Sequence, residues 1–416
     1  MPGGKKSAFI MAAIFAAILL SGADNSLLNK ARAGDADSQF QLANEFFYGK
    51  NRNANLPLAY YWFRRAAVSG SAAARYNLAV CLQKGWGCKA NPAGAFYNFK
   101  LAMDKGVKKA VIRYAEMLFV GVDAGTFEEE QLPEVKADPE NAIAILRPVA
   151  QSDSEAMVLL AKLLYRDVEK NGKELRSVLE KYVSAAADPD PEMLLIYSAC
   201  LRSGLGGSTP DPEAGAKILQ RAVLKNHPEA TAQLAEMMLM GWGMKPNKPK
   251  ALKLYEHAMK LGSPRAKTDV AQMKLAGINM PHDLAGAFKL LTEAAEKKYP
   301  PALCKLGDCY AFGIGTEVDM SKALYNYLMA AELGDRLAAY RIGEYYRDGK
   351  YVPKNPAVSF HFFKSAAQAG HPGAMREVGK ALLGGSGIDP DYPQAAEWLQ
   401  RAAQAGDREA AEILRQ

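Results

Sequence analysis

The most constraining feature of this chain is a recurrent punctuation: Gly34, Gly70 and Gly106 stand 36 residues apart, and the same interval links Asn226, Gly262, Lys298, Gly334, Gly370 and Gly406. Intervals this regular mark tandem supersecondary units, none of which can bury its apolar face alone. The middle is looser: Gly106 to Ser152 is 46 residues, Ser152 to Ala187 is 35 and Ala187 to Asn226 is 39. Ten units result, beginning near 35, 71, 107, 153, 188, 227, 263, 299, 335 and 371, with 407–416 as a capping helix. A chain of 416 residues exceeds the roughly 250–300 over which one core can grow, and no linker divides it. Stacked units resolve that conflict, because the core lengthens one unit at a time.

Each unit reads as two helices. Asp35, Ser71, Asp153, Asp188, Ser263, Asp335 and Asp407 occupy the cap of the first, where a side-chain oxygen can accept from free N–H groups of the opening turn. Pro189, Pro228, Pro264, Pro300 and Pro372 suit the first helical position, since proline has no N–H to leave unpaired and its φ is already helical. His227 and His371, each followed by proline, fall at the same cap position and read as turn residues. Small and apolar residues recur at steps of three and four, as in Ala302, Leu306, Gly307 and Tyr310, or Ala338, Ile342, Gly343 and Tyr346. They form one buried stripe. The first helix closes at Gly49, Gly85, Gly121, Gly204, Gly241, Gly277, Gly313, Gly349 and Gly385, glycine being the residue that most readily takes the left-handed closing conformation. Turns such as Gly85-Trp86-Gly87 and Gly313-Ile314-Gly315 follow, then a second helix rich in aromatics and alanine pairs, as in Trp62, Phe63, Ala66 and Ala67.

The succession of Ala, Leu-Gly, Tyr, Gly-x-Gly, Lys-Ala, aromatic pair and Ala-Ala resembles the Sel-one-like repeat (SLR) family, relatives of the tetratricopeptide repeat; Ala302 to Gly334 and Ala338 to Gly370 carry it most fully. It covers nearly all of 24–416 and weakens between Val122 and Ala187, where an acidic loop with Glu128, Glu129 and Glu130 is inserted and the unit after Asp153 lacks the Gly-x-Gly turn. The resemblance implies an all-α, right-handed α-solenoid superhelix whose concave groove binds proteins or peptides. If first helices line that groove, two ladders present themselves, five and nine residues before the closing glycine. The residues expected to contact a partner are Phe40, Tyr76, Glu116, Glu236, Asp308, Phe312, Tyr340 and Glu344. Acidic and aromatic groups in this arrangement suit an extended or helical segment with basic and apolar side chains.

The first 23 residues read differently. Lys5 and Lys6 precede an apolar run from Ala8 to Leu20, followed by Ser21, Gly22 and Ala23, the layout of a secretory signal cleaved after Ala23; an uncleaved N-terminal anchor is the competing reading. Ala23 stands where a lipoprotein box would place cysteine, so lipid attachment is not expected. A periplasmic or secreted body without stable membrane insertion follows. Lys+Arg 52 against Asp+Glu 45 leaves +7, or +5 without Lys5 and Lys6, too dilute for a nucleic-acid footprint.

Catalytic motifs are missing from the sequence. It contains no Cys-x-x-Cys, His-Glu-x-x-His or Gly-x-Ser-x-Gly, no phosphate loop, and no serine with lysine three residues later. Neither a cofactor nor a metal site is expected, and the five histidines are not grouped at ligand spacing. The alternative, a penicillin-binding or weak β-lactamase-type hydrolase, rests only on resemblance to cysteine-rich members of the family. Cys81, Cys200 and Cys309 share one register position, four residues before the closing glycine, while Cys88 follows Gly-x-Gly and Cys304 lies within a helix. They read mainly as unpaired packing residues, with Cys81 and Cys88 the nearest candidates for oxidation.

Overall fold

The structure, a computed structural model, describes residues 25–128 and 130–415; the expected export signal at 1–23 lies outside them. Its contacts divide the chain into two units. The first runs to Pro189 and takes in Gly204–Thr209; the second comprises Asp190–Ser203 and the chain from Pro210 onward.

In the first unit, α1 (Asn25–Arg32) precedes three helix pairs: α2 (Ala36–Tyr48) with α3 (Leu56–Val68), α4 (Ala72–Lys84) with α5 (Pro92–Asp104), and α6 (Lys108–Val120) with α7 (Pro139–Val149). A fourth pair, α8 (Ser154–Tyr165) and α9 (Val168–Ala185), ends it. The second unit holds α10 (Pro191–Ser203), α11 (Pro212–Val223), α12 (Pro228–Met240), α13 (Lys248–Lys260), α14 (Pro264–Ala276) and α15 (Leu284–Ala295). It continues with α16 (Pro300–Phe312), α17 (Met320–Glu332), α18 (Arg336–Asp348), α19 (Pro356–Gln368), α20 (Pro372–Gly384), α21 (Tyr392–Gln404) and the closing α22 (Arg408–Ile413).

Helix starts follow the cap chemistry. Asp35, Ser71, Asp153, Ser263, Asp335 and Asp407 accept from the N–H three residues on, as expected. His227 and His371 do the same through Nδ1, at 3.1 Å to the N–H of Ala230 and Ala374. The expectation at Asp188 and Pro189 is corrected: α10 begins two residues later, at Pro191, with Asp190 accepting from the Glu192 N–H at 2.7 Å. Each second helix meets its own first helix on alanines that are fully buried, such as Ala302, Ala323, Ala338 and Ala366. Gly307 is small for a packing reason, since a Cβ there would lie 2.6 Å from the Tyr327 ring.

The Gly-x-Gly turns bind successive pairs together. A Cβ on Gly87 would lie 2.1 Å from the Leu56 carbonyl oxygen at the start of α3, and one on Gly243 would lie 2.2 Å from that of Pro212 at the start of α11. Gly315 and Gly387 approach Leu284 and Pro356 in the same way. These glycines also have positive φ, so both the backbone conformation and the close approach exclude a side chain.

Three elements depart from the sequence reading. Helix α1 extends the stack ahead of the first predicted pair, with Leu28 and Ala31 buried and the Ala31 carbonyl accepting from Gln39 Nε2 at 2.9 Å. The acidic insertion carries an antiparallel hairpin, β1 (Gly125–Phe127) with β2 (Glu130–Leu132). Phe127 is buried against Gly94 at the start of α5, the Thr126 carbonyl accepts from Asn91 Nδ2 at 2.8 Å, and Glu128 pairs with Arg64 at 2.6 Å. Between α8 and α9 the glycine turn is absent, as the sequence indicates, and the departure lies in α9, which reaches 18 residues by extending at its N-terminus, capped by Asp167.

Candidate functional site

On first helices of the second unit, acids and arginines form a ladder from one pair to the next. Arg202 donates to Gln233 at 2.7 Å. Arg265 lies 2.7 Å from Glu236, 3.5 Å from Glu229 and 3.6 Å from Asp269. Farther on, Arg341 meets Asp308 at 3.1 Å, Arg347 meets Glu377 at 3.2 Å, and Arg376 meets Asp407 at 2.7 Å. Burial pushes the Asp269 carboxyl up to about 7: desolvation, aided by Glu236 and Glu229, outweighs the opposing pull of Arg265.

The eight residues expected to contact a partner do not share one environment. Phe40 lies 6.0 Å from Phe63 and Tyr76 lies 5.7 Å from Phe99, so both are partly covered by their own second helices. Glu116 is exposed and pairs with Arg113 at 3.1 Å. Glu236 belongs to the Arg265 cluster. Asp308 is buried; besides Arg341 it accepts from the Tyr327 hydroxyl at 2.8 Å, which makes it an internal tie of the stack. Tyr340 stacks on His371 with ring centroids 4.3 Å apart, and burial raises its hydroxyl pKa to about 12.

Phe312 and Glu344 are brought together. They border one shallow pocket of about 220 Å³ with Arg341, Tyr345, Asp348 and Tyr351. Phe312 is 61% exposed and Tyr351 56%, which for large rings is unsatisfied apolar area beside two carboxylates. The sequence reading did not single out Tyr351, Arg265 or Arg341, whereas Arg376 falls in its ladder nine residues before the closing glycine. Arg265 and Arg341 stand twelve and eight residues before their closing glycines, outside both ladders.

Cys81, Cys304 and Cys309 are buried free thiols and Cys88 a half-exposed one. Cys88 Sγ donates to the Cys81 carbonyl at 3.6 Å. Among the described residues no group of three or more His, Cys, Asp or Glu is placed to hold a metal, and no helix is long and apolar enough to cross a membrane.

Successive helix pairs, most of them fastened by glycine turns, define a tandem helix–turn–helix repeat protein, an α-solenoid in class. The Sel1 repeat matches at residues 36–71, 72–107, 192–227, 228–263, 264–299, 300–335, 336–371 and 372–407, and the chain belongs to the Sel1 repeat family. Among solved structures it is similar to c5321, a protective antigen present in uropathogenic Escherichia coli strains and displaying an SLR fold, at 23% identity and a TM-score of 0.53, over 91% of this chain and 78% of that one. It also resembles a Sel1 repeat protein from Oxalobacter formigenes at 24% identity and a TM-score of 0.49, over 59% of this chain and 98% of that one. No curated protein matches the sequence closely enough to count as a relative. The unmatched stretch, 108–191, contains the hairpin and the missing glycine turn.

Proposed function

We propose that this chain is a non-catalytic, exported scaffold that recognises protein or peptide partners on the first-helix face of its second unit. Sel1 repeat proteins in general mediate protein–protein interaction, and the finer reading rests on one observation: Phe312 and Tyr351 stay exposed beside Glu344 and Asp348 around one pocket. Exposed aromatic anchors next to carboxylates fit a segment bearing apolar and basic side chains, in which a few buried contacts carry most of the affinity. Tyr340 stacks on His371 and Glu236 is held by Arg265 on other first helices of the unit, and Asp308 ties the stack from inside.

Crosslinking mass spectrometry on fractionated cells tests both halves of the proposal. Export predicts recovery of a chain beginning at Asp24 in the periplasmic or secreted fraction; recovery of the full-length chain in the cytoplasm refutes it. The binding face predicts that Phe312→Ala and Glu344→Arg each abolish the main crosslinked partner while the melting temperature is kept. A partner captured equally by both variants would mean that the face lies elsewhere.

A further inference from the structure

The Gly-x-Gly turns do more than end helices: each covers the N-terminal part of the second helix in the pair before it. Gly87 seats on α3 at Leu56, Gly206 on α9 at Gly172, Gly243 on α11, Gly315 on α15 and Gly387 on α19. The hairpin does the same for α5, with Phe127 against Gly94. Helix α7 has no such cover among the described residues. The turn that would cover it belongs between α8 and α9, where the chain instead continues into the N-terminal extension of α9. The space this leaves is a cavity of about 570 Å³, bordered by Pro139 and Ile143 of α7, Phe119 of α6, Leu163 of α8 and Asn171 of α9.

A filled slot in the same unit shows what such a space accepts. Phe47 stands two residues before Gly49, as Phe119 stands two before Gly121. On Phe47 lies Trp86, the central residue of a Gly-Trp-Gly turn, with ring centroids 5.5 Å apart. Over Phe119 lies the Arg166 guanidinium, 4.8 Å from the ring centroid. The other cations at the rim are matched: Lys170 pairs with Glu140 at 2.6 Å, and Arg147 grips both oxygens of Glu174 at 2.8 and 2.9 Å. Asp167 is engaged by the N–H of Lys170. Among the described residues Arg166 makes no ion pair, so the slot has an apolar floor and an unpaired guanidinium held on an aromatic face, while the Asp167 carboxylate beside it caps α9.

We infer that the vacant slot on α7 is a binding site for a tight peptide turn of a partner protein, one that places an apolar side chain on Phe119, Ile143 and Leu163 and a carboxylate on Arg166. The occupant replaces, from another chain, the glycine turn that this pair lacks. Its size fits, since cavities of about 300–1,000 Å³ suit ligands of a few residues. A guanidinium lying on a ring keeps its N–H fork free for two parallel bonds to a carboxylate. The site lies wholly in the first unit and does not depend on the face proposed for the second.

Methyl NMR on the full chain tests this with a probe taken from its own fold, the capped peptide corresponding to Gly313–Asp319, a glycine turn with isoleucine and two carboxylates. Saturable shifts at the Ile143 and Leu163 methyls are expected, with Kd of about 1 mM or tighter. Arg166→Gln, an exposed substitution that leaves the fold in place, weakens binding about fivefold or more, and a peptide with Gln and Asn in place of its acids is weakened equally. Asn171→Trp, which adds bulk at the rim, abolishes it. The proposal is overturned by the absence of saturable shifts up to about 5 mM, or by binding indifferent to Arg166→Gln. Isovalerate bound as tightly as the peptide would show a small-acid site and overturn the peptide turn.

Discussion

Replacing Gly243 by alanine tests whether the turns fasten one pair to the next. Two costs separate cleanly. With φ at 69°, Gly243 is left-handed, and a Cβ in that conformation costs roughly 1–2 kcal/mol, partly offset by the lower freedom of alanine in the unfolded chain. The second cost is steric: the new Cβ would lie 2.2 Å from the Pro212 oxygen and 2.6 Å from the Glu213 nitrogen. Both are backbone atoms, so the turn must withdraw by roughly 1 Å, an overpacking loss of about 1–3 kcal/mol more. Gly262 supplies the control, for its φ is 86° but nothing lies within 4 Å of its Cβ position. Gly262→Ala should cost about 1 kcal/mol and Gly243→Ala about 2–4. In thermal unfolding followed by helical circular dichroism, a body of this size loses about 2–4 °C per kcal/mol. The two melting temperatures should therefore differ by several degrees. Equal losses would refute the idea that the turn is pressed onto α11.

Burial holds the Asp269 carboxyl near 7, above its ordinary range, so the folded chain binds more protons than the unfolded one between about pH 4 and 7 and loses stability as pH rises through that window. Asp269→Asn should remove this slope, leaving the variant more stable near neutrality by on the order of 2 kcal/mol; urea midpoints unchanged between about pH 5 and 7.5 in the native chain would contradict it. Tyr327→Phe removes a hydroxyl donor from the buried Asp308 and should cost about 1.5–3 kcal/mol in chemical unfolding; no loss would mean that Arg341 and Lys305 satisfy that carboxylate without it. Thiols raised by burial to about 12 at Cys81 and Cys304 and about 11 at Cys309 should resist alkylation of the native chain, leaving the half-exposed Cys88 to label first by peptide mass spectrometry. Faster labelling at Cys304 would contradict the packing.

Repeat length, helix starts and turn glycines were legible because each depends on one residue type at one position. Ser263 or Asp335 must cap where it stands, and Gly313 must close its helix. Asp188 misled because Asp190 offers the same oxygen two residues later, next to another proline, and local chemistry does not choose between them. The candidate face was half legible. Phe312 and Glu344 meet, but Asp308 lies in the same register column as Glu236 and is drawn inward by Tyr327 and Arg341, contacts made 19 and 33 residues away. The hairpin escaped for a related reason: its strands are three residues long and hold to the body through Phe127 and Gly94, a pairing with no local signature.

Synthesis order gives the glycine turns a temporal meaning. Leu56 waits 31 residues for Gly87, and Pro212, Leu284 and Pro356 wait as long for Gly243, Gly315 and Gly387. At about 5–20 residues per second, the start of each second helix stays bare for a few seconds after it leaves the ribosome. A nascent chain of this design always carries one unfinished pair at its growing end. At α7 no such turn follows among the described residues, so that helix start is left open to a turn supplied by another molecule.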